Sequence, residues 1–563
     1  MVVGTRMTPR RRLAELVDQL DGAAVCCALL AAALAALAWA AGWHGPDLAA
    51  QLHRIDAFRT FGFTLWDAQW FGGHYPLAYS VLFAPAGALL GAGPLGVLCA
   101  AASTWAFVRL IHVHFGSQVW LGGLWFAAGT VATVMIGQLA FLLGAVVALL
   151  VVLSHGSGRR LLAGVLAVLC PLASPVAGAL LLLAIAAWWL STSGPARRQL
   201  VVLGALVCCG LAAVRLGFPQ GGTFPFAATT FAGVVAVSIL GVWLLPKRER
   251  ALRIGAALYG IVGLILFVVP QPMGANLGRL GTAIAGPIAA TVLWPRRRLL
   301  LLGVAVPLLL WQWVPAIAEA ATGQPDPSRQ SAYYQPMLQY LVPRVGVQTR
   351  VEIPPTRDHW EARWAAAAVP LARGWERQVD NSENPLFYTR AGPTAASYEA
   401  WLRNNGVGYV AVPDVALDYA GVKEAQLVTG GLPYLHLTYT SAHWSVWKVD
   451  GNPGLVEGPG YMVSLGGDRF SVAVDRAGPI EVKVRYTPYW TVAGDSACVS
   501  ARPDGWTELQ VLQPGLIEVS AQFLAPKSAA CTSHAEGTDQ PVIKERQTSG
   551  GSVGATRPLP ADG

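Results

Sequence analysis

GAAVCCALLAAALAALAWAAGW, residues 22–43, contains no charged side chain and is long enough to cross the ~30 Å hydrocarbon layer of a bilayer. Arg10 to Arg12 stand before it, and similar apolar runs recur as far as residue 318. The chain of 563 residues is 54% hydrophobic and only 13% charged. Because an ordinary globular protein carries about 25% charged residues, the sequence predicts an α-helical polytopic membrane protein.

Hydropathy predicts about eleven membrane spans. They fall at residues 22–43, 75–92, 95–113, 119–153, 161–172, 174–190, 199–215, 226–245, 254–270, 281–294 and 299–317. The stretch 119–153 is too long for one crossing, and the polar step Gly137-Gln138 interrupts it. We therefore expect a broken or re-entrant element there rather than two full crossings.

Basic clusters predict which ends of the spans face the cytoplasm, because cytoplasmic loops are rich in Lys and Arg. With eleven crossings, the clusters at 10–12, 159–160, 197–198, 247–253 and 296–298 all fall on the inner side. The N-terminus is then cytoplasmic, and the loops 44–74, 216–225 and 271–280 share the outer side with the C-terminal half. The formal charge of +8 is spread over such clusters, so no nucleic-acid partner is predicted.

Composition and periodicity divide the chain into five segments. They are a cytoplasmic N-terminus at 1–21, a transmembrane domain at 22–318, an extracytoplasmic α/β module at 319–458, a β-sandwich at 459–532 and a disordered tail at 533–563. In the α/β module we expect strands at 349–353 and 407–412 and helices at 359–368 and 395–404. Alternating apolar residues at 470–474, 480–486, 507–511 and 517–521 predict the sandwich. Cys498 and Cys531 are predicted to pair as a disulfide.

The first loop carries an unusual density of polar side chains next to the membrane. They include His44, Asp47, His53, Arg54, Asp56, Arg59, Asp67 and His74. Composition alone leaves two alternatives open, a solvated connection or a functional site. A second polar stretch, Leu371 to Asn381, is expected to be a solvated surface segment.

Five short motifs follow one another along the chain. They are GPDL at 45–48, WFGGHYPL at 70–77, GQ at 137–138, GANLGRL at 274–280 and RYTPYW at 485–490. In this order they resemble the GT-C superfamily of membrane glycosyltransferases, and more closely a bacterial branch with an extracytoplasmic C-terminal domain. The resemblance implies a GT-C-like fold in a bacterial inner membrane. It also implies transfer, with inversion, of a sugar from a polyprenyl-phosphate donor to a glycan or glycolipid acceptor of the cell envelope.

Such a transfer needs a carboxylate that takes the proton of the acceptor hydroxyl, and cationic or amide donors for the phosphate of the lipid. The resemblance assigns the base to Asp47, with Asp56 and Asp67 as alternatives. The substrate-binding candidates are His53, Arg54, His74, Asn276 and Arg279, of which Arg279 leads for the phosphate.

No cofactor is assigned. Some GT-C enzymes use a divalent cation and others use none, so a cation at Asp47 or Asp67 stays open and no metal ligand is predicted. The sequence has no glycine-rich phosphate loop ending in Lys-Ser or Lys-Thr, so nucleotide hydrolysis is not expected. Two functions stay open: the glycosyltransferase, and a non-catalytic GT-C-like protein that serves as a membrane scaffold or as an accessory that binds or transports a glycolipid.

Overall fold

A computed structural model describes residues 9–116, 119–295, 297–323 and 326–524, with only the backbone described at 9–21 and 323. The described chain is mostly helical and ends in a sheet-rich region. Within these ranges, six helices are long and apolar enough to cross a membrane: Gly22–Ala40, Ala92–Phe115, Leu139–Gly156, Pro195–Gly217, Arg250–Val268 and Arg298–Thr322. This architecture fits a polytopic membrane protein.

The helices up to residue 323 form the helical region. They are α1 (Pro9–Ala40), α2 (Asp47–Phe61), α3 (Pro76–Tyr79), α4 (Phe83–Leu90), α5 (Ala92–Phe115), α6 (Trp120–Ile136), α7 (Leu139–Gly156), α8 (Arg160–Ala173), α9 (Pro175–Ser191), α10 (Pro195–Gly217), α11 (Ala228–Leu244), α12 (Arg250–Val268), α13 (Gly278–Leu293) and α14 (Arg298–Gly323). A 3₁₀ turn, Gly274–Leu277, precedes α13.

The prediction of a span at 75–92 is wrong. This stretch holds only α3 and α4, and the eight residues of α4 rise about 12 Å, too little for the hydrocarbon layer. The helix is interrupted at Ser80, whose backbone is extended. The Ser80 hydroxyl donates to the carbonyl of Ala173 at 2.7 Å and accepts from the N–H of Phe83 at 3.0 Å. Hydropathy counts apolar residues and does not detect such an interruption.

The stretch 119–153 is interrupted where the sequence predicted, at Gly137-Gln138, because Gly137 adopts a left-handed conformation at φ 85. The helices on either side, α6 and α7, have 17 and 18 residues. Each is therefore about 26 Å long. Two helices of nearly the thickness of the hydrocarbon layer replace the single irregular element that was expected.

Helix α2 docks against this interruption through Gln51, which is completely buried. The Gln51 amide donates to the carbonyl of Gly137 and accepts from the N–H of Ala140 at 2.9 Å. It thereby satisfies two backbone groups that the interruption leaves without helical partners. The contact fixes the start of α2, and with it Asp47, at the junction of α6 and α7.

Residues 326–524 form the C-terminal region. Its helices are α15 (Ser331–Val345), α16 (Glu361–Trp364), α17 (Arg377–Glu383), α18 (Ala395–Asn404) and α19 (Tyr419–Thr429). Its strands are β1 (Arg350–Glu352), β2 (Val407–Pro413), β3 (Leu435–Thr440), β4 (Trp444–Val449), β5 (Val456–Glu457), β6 (Gly460–Leu465), β7 (Arg469–Val474), β8 (Gly478–Arg485), β9 (Trp490–Val492), β10 (Ala497–Ala501), β11 (Trp506–Val511) and β12 (Gly515–Ala521).

Three four-stranded sheets result, in the orders β1-β2-β4-β3, β10-β11-β8-β5 and β6-β7-β12-β9. The first is mixed, because β1 pairs with β2 in parallel and the remaining pairs are antiparallel. The other two are antiparallel and share one apolar core. Each stretch predicted as a strand coincides with one of these strands, and α18 covers the predicted 395–404, whereas α16 is shorter than the predicted 359–368.

The loop between α2 and α3 inserts into the C-terminal region. Trp70 and Phe71 belong to a cluster that extends from α1 and α5 to the first sheet, and Trp66 and Tyr75 belong to the core shared by the other two sheets. The loop also pairs as backbone, since the N–H of Leu371 donates to the carbonyl of Gln69 at 2.9 Å. Residues 66–75 therefore pack as part of the C-terminal region, although they lie in the first loop of the sequence.

Two predictions concern residues outside the described ranges. Cys498 lies in β10 and is disulfide-bonded, whereas Cys531, predicted as its partner, lies outside the described residues. The tail predicted at 533–563 lies outside them as well.

The junction of α2 with α6 and α7 leads to a stability prediction. A Cβ added at Gly137 would lie 2.7 Å from the backbone nitrogen of Leu48, whereas at Gly158, also left-handed, it would meet nothing within 4 Å. Both Gly→Ala changes cost about 1–2 kcal/mol of backbone strain, and Gly137→Ala adds about 1–3 kcal/mol of overpacking. Thermal unfolding of the two purified variants measures the difference. Equal losses at the two positions would contradict this packing.

Candidate functional site

A cavity of about 1130 Å³ lies where the helical region meets the C-terminal region. Its walls come from α2, α6, α7, α10, α11, α13 with the turn before it, and α14, and residues 375–378 of the C-terminal region close one side. From Ile136 at the end of α6 the lining continues down that helix to Gly129, about 10 Å along the axis. The cavity therefore reaches from the junction of the two regions into the helix bundle.

Its lining is divided by polarity. Mostly apolar side chains of the helices line the deeper part, among them Ala132, Ala283, Leu310 and Val314, although Gln312 also lies there, beside Gly129. Charged and polar side chains gather at the junction, among them Asp47, Gln138, Asn276, Arg279, Glu376, Arg377 and Gln378. Such a cavity suits a ligand with an apolar part and a polar head.

Asp47 and Arg279 face each other at the polar end. Nη2 of Arg279 lies 3.4 Å from Oδ2 of Asp47, and both side chains keep some exposure, 19% for Arg279 and 25% for Asp47. Arg279 also lies over the ring of Phe141, at 5.2 Å from its centroid. One long contact holds the pair, so the guanidinium retains donors for a ligand.

Burial raises the pKa of the Asp47 carboxyl above its usual range, and the charges of Arg279, His359 and Arg377 and the amide of Gln138 oppose that rise. Asp47 is also the first residue of α2, where the helix dipole favours a negative charge. A raised pKa makes the carboxylate a stronger proton acceptor, as a general base requires.

A second ion pair lies beside the first. Nη2 of Arg54 donates to Oε2 of Glu376 at 2.6 Å, and both side chains are nearly buried. Arg54 lies over the rings of Tyr79, at 4.3 Å, and Trp70, at 5.4 Å. The pair joins α2 to the C-terminal region at the wall of the cavity.

The segment 375–378 is anchored on both sides of Glu376. The indole N–H of Trp375 donates to the carbonyl of Pro46 at 2.9 Å, and its ring stacks on His359 at 3.5 Å. Arg377 makes two hydrogen bonds to the carboxylate of Asp418, at 2.9 and 2.7 Å. The C-terminal region thereby contributes a fixed wall that begins next to Asp47.

The predicted site residues fall into two groups. Asp47, Asn276 and Arg279 line the cavity, and Arg54 adjoins it through Glu376. His53, Asp67 and His74 do not line the cavity but hold the inserted loop: Nε2 of His53 lies 2.8 Å from Oδ2 of Asp67, and Nδ1 of His74 lies 3.1 Å from the carbonyl of Asp67. Asp56 pairs with Arg59 at 3.4 Å and with Arg363 at 3.1 Å, also away from the lining.

Sequence analysis missed Glu376, Arg377 and Tyr79. The stretch 371–381 was expected to be a solvated surface segment, and that expectation is wrong. Arg373 and Asp380 within it are buried and paired at 2.6 Å, and its residues 375–378 line the cavity. Its alternation of arginines and acids was a signal of ion pairing, but the sequence does not tell surface pairs from buried ones.

No group of three or more His, Cys, Asp or Glu side chains within the described ranges is arranged to hold a metal ion. The structure thus adds no ligand set for the cation that the resemblance left open. No protein-family model matches the chain, and no curated protein matches it.

The inserted loop leads to a pH prediction. Burial lowers the pKa of the His74 imidazole to about 3, although the carboxylate of Asp67 opposes this shift. A histidine in the unfolded chain takes up its proton near pH 6.5. The contribution of neutral His74 to the stability of the folded protein is therefore complete above pH 6.5 and is lost as the pH falls. The free energy of unfolding should drop by about 1.4 kcal/mol per pH unit between about pH 6 and 4 for this one group.

Thermal unfolding across that range, compared with His74→Asn, measures this contribution. His443→Asn, at an exposed position of the C-terminal region, is the matched control. A pH dependence that is the same in the wild type and in His74→Asn would refute the role given to His74.

Proposed function

We propose that this chain is a membrane glycosyltransferase that moves a sugar from a polyprenyl-phosphate donor to a cell-envelope acceptor on the outer face of the membrane. The observation that carries the proposal is the amphipathic cavity with a carboxylate and a guanidinium facing each other at its polar end. The GT-C-like motifs of the sequence supply the reaction class.

The sidedness follows from the helices and their basic ends. If α1 and the ten helices α5 to α14 each cross once, the count is eleven. Arg10 to Arg12, Arg159-Arg160, Arg197-Arg198 and the loop 247–253 then share the cytoplasmic side. The contact of His114, at the end of α5, with Glu249 at 2.7 Å agrees with this assignment, because both would lie inside.

By the same count Asp47, Arg279 and the C-terminal region, an α/β module followed by a β-sandwich, lie on the outer side. A lipid-linked donor in the outer leaflet can reach the cavity only if its phosphate stays near the interface. By the same count the charged end of the cavity would lie near that level, and the mostly apolar deeper part is suited to the first isoprene units.

The chemistry assigns one step to each side chain. Asp47 takes the proton of the acceptor hydroxyl. At the same time the oxygen of that hydroxyl forms a bond to the anomeric carbon, from the face opposite the phosphate. The bond between that carbon and the phosphate oxygen breaks with inversion, and the lipid phosphate leaves as an anion. Arg279 and the amide of Asn276 stabilise the charge that develops on the leaving oxygen.

A second candidate is a non-catalytic relative that binds the same lipid. The contact between Asp47 and Arg279 favours it, because an aspartate held by an arginine can serve as a structural ion pair. The two functions make the same prediction for lipid binding and opposite ones for turnover.

Turnover separates them. Full-length protein in nanodiscs is supplied with radiolabelled polyprenyl-phosphate sugars and a crude cell-envelope acceptor, and released polyprenyl phosphate is measured. Asp47→Asn should lower the turnover by about 10²- to 10⁴-fold, because the variant lacks a base. Asp56→Asn, a matched change in the same helix outside the cavity, should keep it within a few-fold. Wild-type turnover in Asp47→Asn would overturn the catalytic assignment, and lipid binding without turnover in the wild type would favour the second candidate.

A further inference from the structure

The cavity contains a second carboxylate that the proposed chemistry does not use. Among the described residues that line it, the acids are Asp47 and Glu376, and the cations are Arg215, Arg279 and Arg377. Asp47 comes from the helical region, whereas Glu376 comes from the C-terminal region, 322 residues from its partner Arg54. The cavity is therefore incomplete without the C-terminal region.

Glu376 is held in one orientation by its partner. Arg54 is only 3% exposed and is confined between the rings of Trp70 and Tyr79. Its contact takes up Oε2 of Glu376. A carboxylate has about four acceptor positions, so a side chain that contacts Arg54 on one oxygen and lines the cavity retains acceptor capacity for a ligand.

The backbone around Glu376 is equally restrained. The Trp375 indole is fixed to the carbonyl of Pro46, and the Gln378 amide donates to the carbonyl of Pro272 at 3.4 Å. A Cβ added at Gly222 would meet the carbonyl of Gln378, so the loop between α10 and α11 also lies against this segment. Three loops of the helical region hold Glu376 at a set position.

Glu376 and Asp47 also lie near each other, because each is the next residue after one partner of the hydrogen bond between Trp375 and Pro46. Both raise the pKa of the Tyr79 hydroxyl, whose pKa of about 12 results mainly from burial, and Arg279 and Arg54 oppose them. Tyr79 thus lies among all four charged groups. A sugar whose anomeric carbon is at Asp47 and whose phosphate is at Arg279 would have its ring hydroxyls within this group of side chains.

We propose that Glu376 selects the sugar by accepting hydrogen bonds from its ring hydroxyls, so that the C-terminal region supplies the specificity of the site. This inference rests on the proposed function and extends it, because it separates recognition of the sugar from recognition of the lipid phosphate. Arg54 is a positioning residue for Glu376. A buried carboxylate gives strong discrimination, because a sugar that lacks the matching hydroxyl leaves the carboxylate without its partner.

Binding to defined probes tests the proposal in full-length protein in nanodiscs. The probes are farnesyl phosphate and farnesyl phosphate carrying glucose, mannose, galactose or arabinose. The quantity measured is the dissociation constant of farnesyl phosphate divided by that of the probe that carries the sugar. For the preferred sugar this ratio should fall by about 10- to 100-fold in Glu376→Gln, as expected for the loss of a charged acceptor. Glu376→Asp keeps the charge with a shorter reach and should give an intermediate ratio.

Arg279→Gln is the matched control, since it should weaken both probes together and leave the ratio unchanged. The unfolding temperature of each variant is measured in parallel. If Glu376→Gln fails to fold, Glu376→Asp provides the test, because a purely structural carboxylate would leave the ratio at its wild-type value.

The outcomes distinguish the inference from the proposed function. If the wild type gains affinity from a sugar and Glu376→Gln keeps that gain in full, the inference is wrong and the proposed function stands. A wild type that gains nothing from any of the four sugars also overturns the inference. If farnesyl phosphate itself does not bind, or binds Arg279→Gln as tightly as the wild type, the proposed function fails and the inference fails with it.

Discussion

The insertion of residues 66–75 into the C-terminal region is the interaction on which the rest of the structure depends. Trp70 has no exposed surface and donates its indole N–H to the carbonyl of Ala362 at 3.0 Å, while Trp66 and Tyr75 pack in a second core. Loss of a buried tryptophan side chain costs about 3–5 kcal/mol, so this loop is a major source of cohesion between the two regions. Asp47 lies at the end of α2 that is farther from this loop. Glu376 follows shortly after Leu371, whose N–H donates to the carbonyl of Gln69 in the loop. The loop thereby ties the segment that carries Glu376 to the helix that carries Asp47.

Buried charge explains why the junction is built from ion pairs. Arg54, Asp67, Glu376 and Arg373 are all largely removed from water, and each has a charged partner or a histidine within 2.8 Å. A buried charge without a partner is strongly destabilising. The Asp47–Arg279 contact is longer, at 3.4 Å, and its side chains are more exposed. That difference separates the buried structural pairs from the pair that is available to a ligand.

Much of the fold and part of the candidate site could be predicted from the sequence, and each prediction that was wrong has a physical cause. The long apolar helices, the interruption at Gly137-Gln138 and the strands of the C-terminal region follow from hydropathy and periodicity, because these are local properties. The interval 75–92 was mistaken for a span because its apolar composition conceals the hydrogen bonds of Ser80. Asp47, Asn276 and Arg279 were chosen as site residues and line one cavity. Glu376 was missed because its partner Arg54 lies 322 residues away, and no local pattern encodes that pairing.

The central claim is that Arg279 binds a lipid phosphate at the polar end of the cavity, where Asp47 acts as the base. A cryo-electron microscopy map of the full-length protein in nanodiscs with added farnesyl phosphate tests it most directly. The account predicts headgroup density within hydrogen-bond distance of Arg279, with the isoprenoid chain along the apolar wall of α6 and α14. A cavity without headgroup density at Arg279, or a phosphate bound elsewhere on the protein, would contradict it.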